Sequence, residues 1–340
     1  MRFLDKLWPR AHAKPEPESA LVAALVDRLL VLSPTLKLVP QWRERLAPAL
    51  AQSVEFVREA VARLPAAREA SAAAWMSDPA IHAFFAAPEE VAHVLSRSPE
   101  LHAWFDAHVL AREAYGVLGM GLIERRGFGV AQHGDQVHTD VAQTTLSFDD
   151  HQMRVCGETE ADLREQIVLR VVEQIGLEAL ARIGADESRR DALEQERALL
   201  RTRLQLLTRH GAGTHAMLGA AAEPDAAEVA RVEALIAENE RARAALGLKS
   251  EALEHELAVI CEALSRPAQH ANVEMRAVYL NAMNIVVEDG AARGVAPIVF
   301  AYAHVPASPL GKRAFSLIRF ARADLQPLPR LFDAHARFVI

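Results

Sequence analysis

Cysteine is almost missing from this 340-residue chain: only Cys156 and Cys261 occur, far apart and outside any CxxC spacing. That excludes a disulfide framework and a cysteine-based structural zinc site, and makes a reducing compartment the expected setting. Long apolar runs are missing too. The longest strongly apolar stretch, Ala296 to Ala303, has the length of a strand and falls far short of the roughly 20 residues that span a bilayer. The first ten residues lack the apolar core and cleavage site of a secretory signal, so a cytoplasmic protein without a transmembrane segment is expected. Nor is there an excess of positive charge. The 38 Lys and Arg face 45 Asp and Glu, a formal net charge of −7, which argues against general nucleic-acid binding because phosphate contacts come mainly from Lys and Arg.

Catalytic signatures are equally scarce. There is no GxSxG elbow, and neither cysteine has a neighbouring His to activate it. His255-Glu256 opens an HExxH pattern, but position 259 is Val, so the second zinc ligand is lacking. Gly311-Lys312 has Pro306 where a phosphate-binding loop needs its first glycine and Arg313 where it needs Ser or Thr. Gly116, Gly119 and Gly121 lack the spacing of a dinucleotide-binding turn. No catalytic residue and no cofactor is assigned on this basis, and a non-enzyme is the stronger expectation.

What is present is a globular composition, 51% hydrophobic and 24% charged, rich in the helix-favouring Ala and Arg. Residues 18–116 read as an α-helical domain punctuated by prolines. Asp78-Pro79 and Ser98-Pro99 have the form of a capping residue followed by a first-turn proline. Phe84, Phe85, Leu95, Leu101, Trp104 and Phe105 are expected to form a compact core. From about Leu122 to Gly157 the period becomes two. Gly134-Asp135 predicts a two-residue hairpin turn that pairs His133 with Gln136 and Ala131 with His138, and Asp149-Asp150-His151 predicts a second turn before a short strand at Met153 to Cys156. Helix resumes at Glu158, with breaks expected at Gly176 and Gly184. Strand character returns over 273–287, 297–304 and 314–321.

The strongest pattern lies between these strand groups. Val229, Val232, Ile236, Leu246, Leu253, Leu257, Ile260 and Leu264 repeat every three or four positions or a multiple of that step, and Leu193, Leu200, Leu204 and Leu207 do so before a Gly/Ala-rich break at 210–224. Such spacing holds one helix face against another over several turns. The fold class expected is α+β: an N-terminal helical domain and a six-stranded antiparallel sheet interrupted by an antiparallel coiled-coil hairpin. The division expected is a flexible segment 1–17, the helical domain 18–116, the first half of the sheet with a connecting helix 117–185, the hairpin 186–266, and the second half of the sheet with a tail 267–340.

Four groups of residues are candidates for function. Asn239 and Arg243 (with Ser250) put polar side chains in the apolar seam, where they fix register or loosen a site for another helix; Met217 and Leu218 put apolar side chains at the hairpin tip. These four are the candidate contacts to a protein partner or to a second copy. His133, His138 and Asp140 fall on one side of the predicted strand pair and are the candidate metal ligands, opposite a core side marked by Phe128 and Val130, and the solvated face of a sheet explains them as well. Lys312, Arg313, Arg319, Arg322, Arg330 and Arg337 oppose only two acidic residues in 312–340, a basic end that fits a nucleic acid or an acidic partner. Phe3, Leu4, Leu7 and Trp8 share one helical face among Arg2, Lys6 and Arg10, so residues 1–10 fit a weak membrane-surface contact. The functional ranking that follows is a scaffold or interaction protein first, a metal-dependent or acid–base enzyme second, and a nucleic-acid binder third.

Overall fold

The computed structural model describes residues 17–133, 136–214, 226–246, 252–287, 297–304 and 311–328. The fold is α+β, with ten helices and one six-stranded sheet among the described residues.

One apolar core is purely helical. Helices α1 (Pro17–Leu32), α2 (Trp42–Ala62), the first part of α7 (Glu160–Thr214) and α9 (Ala252–Ser265) each carry apolar residues three or four positions apart. Leu25, Leu29, Leu50, Val54, Val172, Ile175, Leu257 and Ile260 come together from all four, none more than 1% exposed. Ser53 is buried among them and donates to the Leu264 carbonyl at 2.5 Å, which satisfies both polar groups. Arg164 joins α7 to the end of α2. Its guanidinium donates to the carbonyls of Val61 (2.6 Å), Leu64 (3.0 Å) and Pro65 (3.1 Å) while Glu160, one turn back, accepts from it at 2.7 Å. The last carbonyls of a helix have no partner within the helix and attract a cation, so this arginine supplies both bonds and charge.

Helix α7 runs unbroken for 55 residues, through the two glycines at which the sequence predicts breaks. Gly176 is a packing glycine: a Cβ there would stand 2.5 Å from Leu29 Cδ2, so its absence lets α1 approach. Gly184 has open space around it and is tolerated at the cost of about 1 kcal/mol relative to Ala.

The second core joins the sheet to the short helices α3 (Ala72–Ser77), α4 (Pro79–Phe84), α5 (Pro88–Leu95) and α6 (Pro99–Ala107). The predicted caps are in place: the Asp78 carboxylate accepts from Ala80 N–H at 2.8 Å and the Ser98 hydroxyl from Leu101 N–H at 3.3 Å. The segment expected as one helical unit therefore serves two cores, α1 and α2 entering the bundle while α3–α6 cover the sheet.

Strands β2 (Glu113–His133), β3 (Gln136–Gly157), β4 (Val273–Val278), β5 (Ile298–Ala303) and β6 (Arg313–Ala321) run in the order β3-β2-β6-β5-β4 with antiparallel pairings. The sixth strand, β1 (Arg68–Glu69), lies parallel to β6 at Ile318 and Arg319, past the end of β5. The strands that make up the six differ from those expected. Asp149-Asp150-His151 is a bulge inside a continuous β3 and not a turn: Gly119 faces Gln152 and Gly121 faces Asp149, so β3 carries an extra residue, and Asp150 takes a left-handed φ of 43°. The predicted strand at 273–287 ends at Val278. The Asn281 carboxamide then accepts from Met283 and Ile285 N–H in a tight turn, and the Asn284 carbonyl accepts from Leu146 N–H of β3.

His151 follows the bulge and enters the second core. Its Nε2 donates to the Phe84 carbonyl at 2.6 Å and its ring stacks on Phe85 with centroids 4.8 Å apart. Burial pushes its pKa below the usual histidine value, outweighing the Phe84 carbonyl and the nearby Glu90, Asp149 and Asp150, which push it up. A depressed histidine holds more protons unfolded than folded, so its contribution is complete above the ordinary value of about 6.5 and declines as pH falls below it. Thermal denaturation between pH 8 and 5 should show a decline in Tm that is visibly flatter in His151→Gln. Parallel curves for the two proteins would contradict this assignment.

Candidate functional site

Beyond Ile183, α7 leaves the bundle core and pairs with α8 (Ala226–Ala245). Arg190 Nη2 donates to the Leu246 carbonyl at 2.5 Å, Asn239 Nδ2 to the Leu193 carbonyl at 3.0 Å, and Arg203 to Glu228 at 2.6 Å. Partners fall along α8 as positions rise along α7, so the two helices are antiparallel. The positions turned inward, 193, 197, 200, 204 and 207 on α7 and 229, 232, 236, 239, 243 and 246 on α8, follow the alternating three- and four-residue step and are half-buried or buried. At 1.5 Å per residue the stretch from Ile183 to Thr214 reaches about 45 Å.

The interior of this arm is unusually polar. Asn239 is 4% exposed, and its Nδ2 also donates to Glu196 Oε2 at 2.9 Å, yet its Oδ1 has no hydrogen-bond partner among the described residues. The Nε atoms of Arg190, Arg197 and Arg243 are likewise buried without a partner among the described residues. Glu240 engages Arg197 (3.0 Å) and Arg201 (3.3 Å) at the edge of the seam. Each unsatisfied buried polar atom costs about 1–3 kcal/mol, so the two helices hold each other weakly at this level. The structure brings Asn239 and Arg243 together on one seam. Arg190 and Arg197 join them there, and a search for apolar repeats passes over both. Position 197, midway in the heptad between Leu193 and Leu200, is the signal that could have found the second.

On its outer side the arm shows Leu199 (72% exposed), Leu206 (51%) and Leu235 (40%). Leu199 and Leu206 are seven residues apart, hence on one face of α7 and off the seam. Met217 and Leu218 lie outside the described residues, as does Ser250. The seam expected to continue from 229 to 264 is divided: α8 belongs to the arm, whereas Leu257, Ile260 and Leu264 of α9 belong to the bundle core.

The β2–β3 hairpin holds the metal candidates. Its backbone register pairs His133 with Gln136 and Ala131 with His138, as the turn predicted. The side chains of His133 and His138 lie outside the described ones. Asp140 is exposed and sits in a bulge opposite the 129–131 stretch with φ 63°, which breaks the strict alternation on which its grouping with the two histidines rests. Among the described residues no group of three or more His, Cys, Asp and Glu gathers as metal ligands would. Beyond the Arg126–Thr144 pair, the described residues of β2 and β3 pair only with each other, so this end of the hairpin extends past the rest of the sheet. Phe128, expected on a core side, is 79% exposed, with no core beneath it among the described residues.

The basic end is engaged internally where it is described. Arg313 donates to Asp150 at 2.6 Å, Arg319 pairs with Glu69 at 3.1 Å, and Arg322 donates to the carbonyls of Phe105 and Val109 at the end of α6. Lys312 lies 5.9 Å from the Tyr302 ring centroid. The salt bridge with Arg313, then the Gln152 amide, holds the Asp150 carboxyl below its usual range. Arg330 and Arg337 lie outside the described residues. Burial, with Glu100 nearby, pushes the Cys156 thiol up to about 12, and burial raises Cys261, so neither is a ready nucleophile.

No protein family, curated protein or solved structure matches the chain. No described helix is long and apolar enough to cross a membrane.

Proposed function

We propose that this chain is a cytoplasmic, non-enzymatic interaction protein whose α7–α8 arm is a coiled-coil hairpin that binds a helix of a protein partner or of a second copy. The observation that carries this reading is the division of labour along α7. Its first part is locked into the bundle, and its remainder, among the described residues, is covered by α8 while keeping Leu199 and Leu206 exposed on one face. The unsatisfied atoms at Arg190, Arg197, Asn239 and Arg243 give a docking helix something to gain, since groups that bond to it stop being orphaned.

The test is excision of 188–248 with a short Gly/Ser linker, which keeps α9 in the core; an excision running on to 264 would remove Leu257, Ile260 and Leu264. The Arg190 bond to the Leu246 carbonyl holds α7 beside the end of α8 just inside both cut points. The shortened protein should keep its helical and sheet signals by circular dichroism while losing both the partner recovered by the full chain and any self-association seen by light scattering. Leu199→Glu combined with Leu206→Glu should weaken the same association at least tenfold. Association unchanged in both variants would overturn the reading.

A further inference from the structure

The sheet and the bundle do not close on each other. One sheet face is covered by α3–α6; the other carries Val117, Val155, Ala301 and Leu317, and across from it stand Val57 of α2 and Ile167 of α7. Between them is a cavity of about 240 Å³ with an almost wholly apolar lining. Protein interiors normally pack without gaps of this size, and the lining offers water almost no hydrogen-bond partners, so this cleft, open on one side, suits an apolar occupant. It falls somewhat under the roughly 300–1,000 Å³ of pockets for drug-sized ligands, which limits the occupant to a single short chain or ring.

Two further observations give the cavity a direction. Val155 is the extra residue of a bulge, for Cys156 faces Gly116 while Arg154 faces Val117, and it has a left-handed φ of 52°. A β-branched residue resists that conformation, and here the bulge places it in the cavity wall. At the solvent side stand Arg154 and Arg170, their side chains 59% and 58% exposed. Arg154 is paired with Glu100. Arg170 reaches Glu173 at only 3.6 Å, and that carboxylate already accepts from Arg28 at 3.1 Å. Three guanidinium groups thus share two carboxylates, and Arg170 is the least committed of them.

We propose that this cavity binds a small amphipathic carboxylate, its apolar chain between sheet and bundle and its head group on Arg170. The site is independent of the arm. Calorimetric titration of the full chain with octanoate should show saturable binding at one site and a rise in Tm, while octan-1-ol binds more weakly and octyltrimethylammonium not at all. Arg170→Ala, at an exposed position, should weaken octanoate about tenfold and leave octan-1-ol unchanged, a factor that one charge-assisted bond supplies. Val171→Phe, which fills the space, should abolish both with an unaltered circular dichroism spectrum. Absence of saturable octanoate binding to the full chain, or binding that Val171→Phe leaves intact, would overturn the site; equal loss of octanoate and octan-1-ol in Arg170→Ala would overturn the carboxylate.

Discussion

Phe148→Ala should destabilise the protein by about 4 kcal/mol, whereas Phe128→Ala on the same hairpin should leave its stability within about 0.5 kcal/mol. Phe148 is 9% exposed and meets two aromatic partners edge to face: Phe84 of α4 with centroids 4.9 Å apart and Phe300 of β5 at 5.5 Å. Removing its ring deletes apolar burial and both aromatic contacts, and leaves a void where α4 meets the sheet. Phe128 is 79% exposed on the part of the hairpin that, among the described residues, pairs only with its own other strand. Thermal or denaturant unfolding of the two variants checks this directly. Similar losses for both would mean that the projecting hairpin is covered in solution.

Arg164→Ala should cost about 3 kcal/mol, more than an exposed ion pair ever contributes. The guanidinium accounts for the Val61 carbonyl in the last turn of α2, the Leu64 and Pro65 carbonyls just past it and the Glu160 carboxylate, and its side chain is only 23% exposed. Arg164→Lys should recover only part of the loss, because an ammonium has no planar fork to span those acceptors. Glu160 provides a second measure. The Ala67 N–H, then Arg164, holds its carboxyl below the usual range, so the linked stability is complete above the ordinary glutamate value of about 4.3 and is lost as pH falls through the lower, folded one. In Arg164→Ala that window should narrow. A loss below about 1 kcal/mol would show that water takes over the carbonyls.

Some short-range rules are enough to place an element correctly. The caps at Asp78 and Ser98 follow from residue type and the proline behind them, and the His133–Gln136 pairing follows from a two-residue turn. Longer-range outcomes were hidden. Bulges at Asp140, Asp150 and Val155 each add one residue to β3, and no composition rule marks them, so one strand reads as two with a turn between. Gly176 looks like a helix break until Leu29 is found beside it. The heptad step continues through α8 and α9 alike and does not reveal that one faces the arm and the other the bundle. The cavity was the least legible feature, since it is assembled from residues of seven separate elements, each of which reads as ordinary core.

A single rigid rod has mechanical consequences. Ile167 and Val171, which line the cavity, and Leu199 and Leu206, farther out on the arm, belong to the same uninterrupted α7. Swinging the outer 45 Å or so by about 5° would carry its end sideways by roughly 4 Å, and the same rotation acts at the fulcrum where the sheet begins. One helix therefore forms a wall of the chamber at its root and the full reach of the arm beyond it.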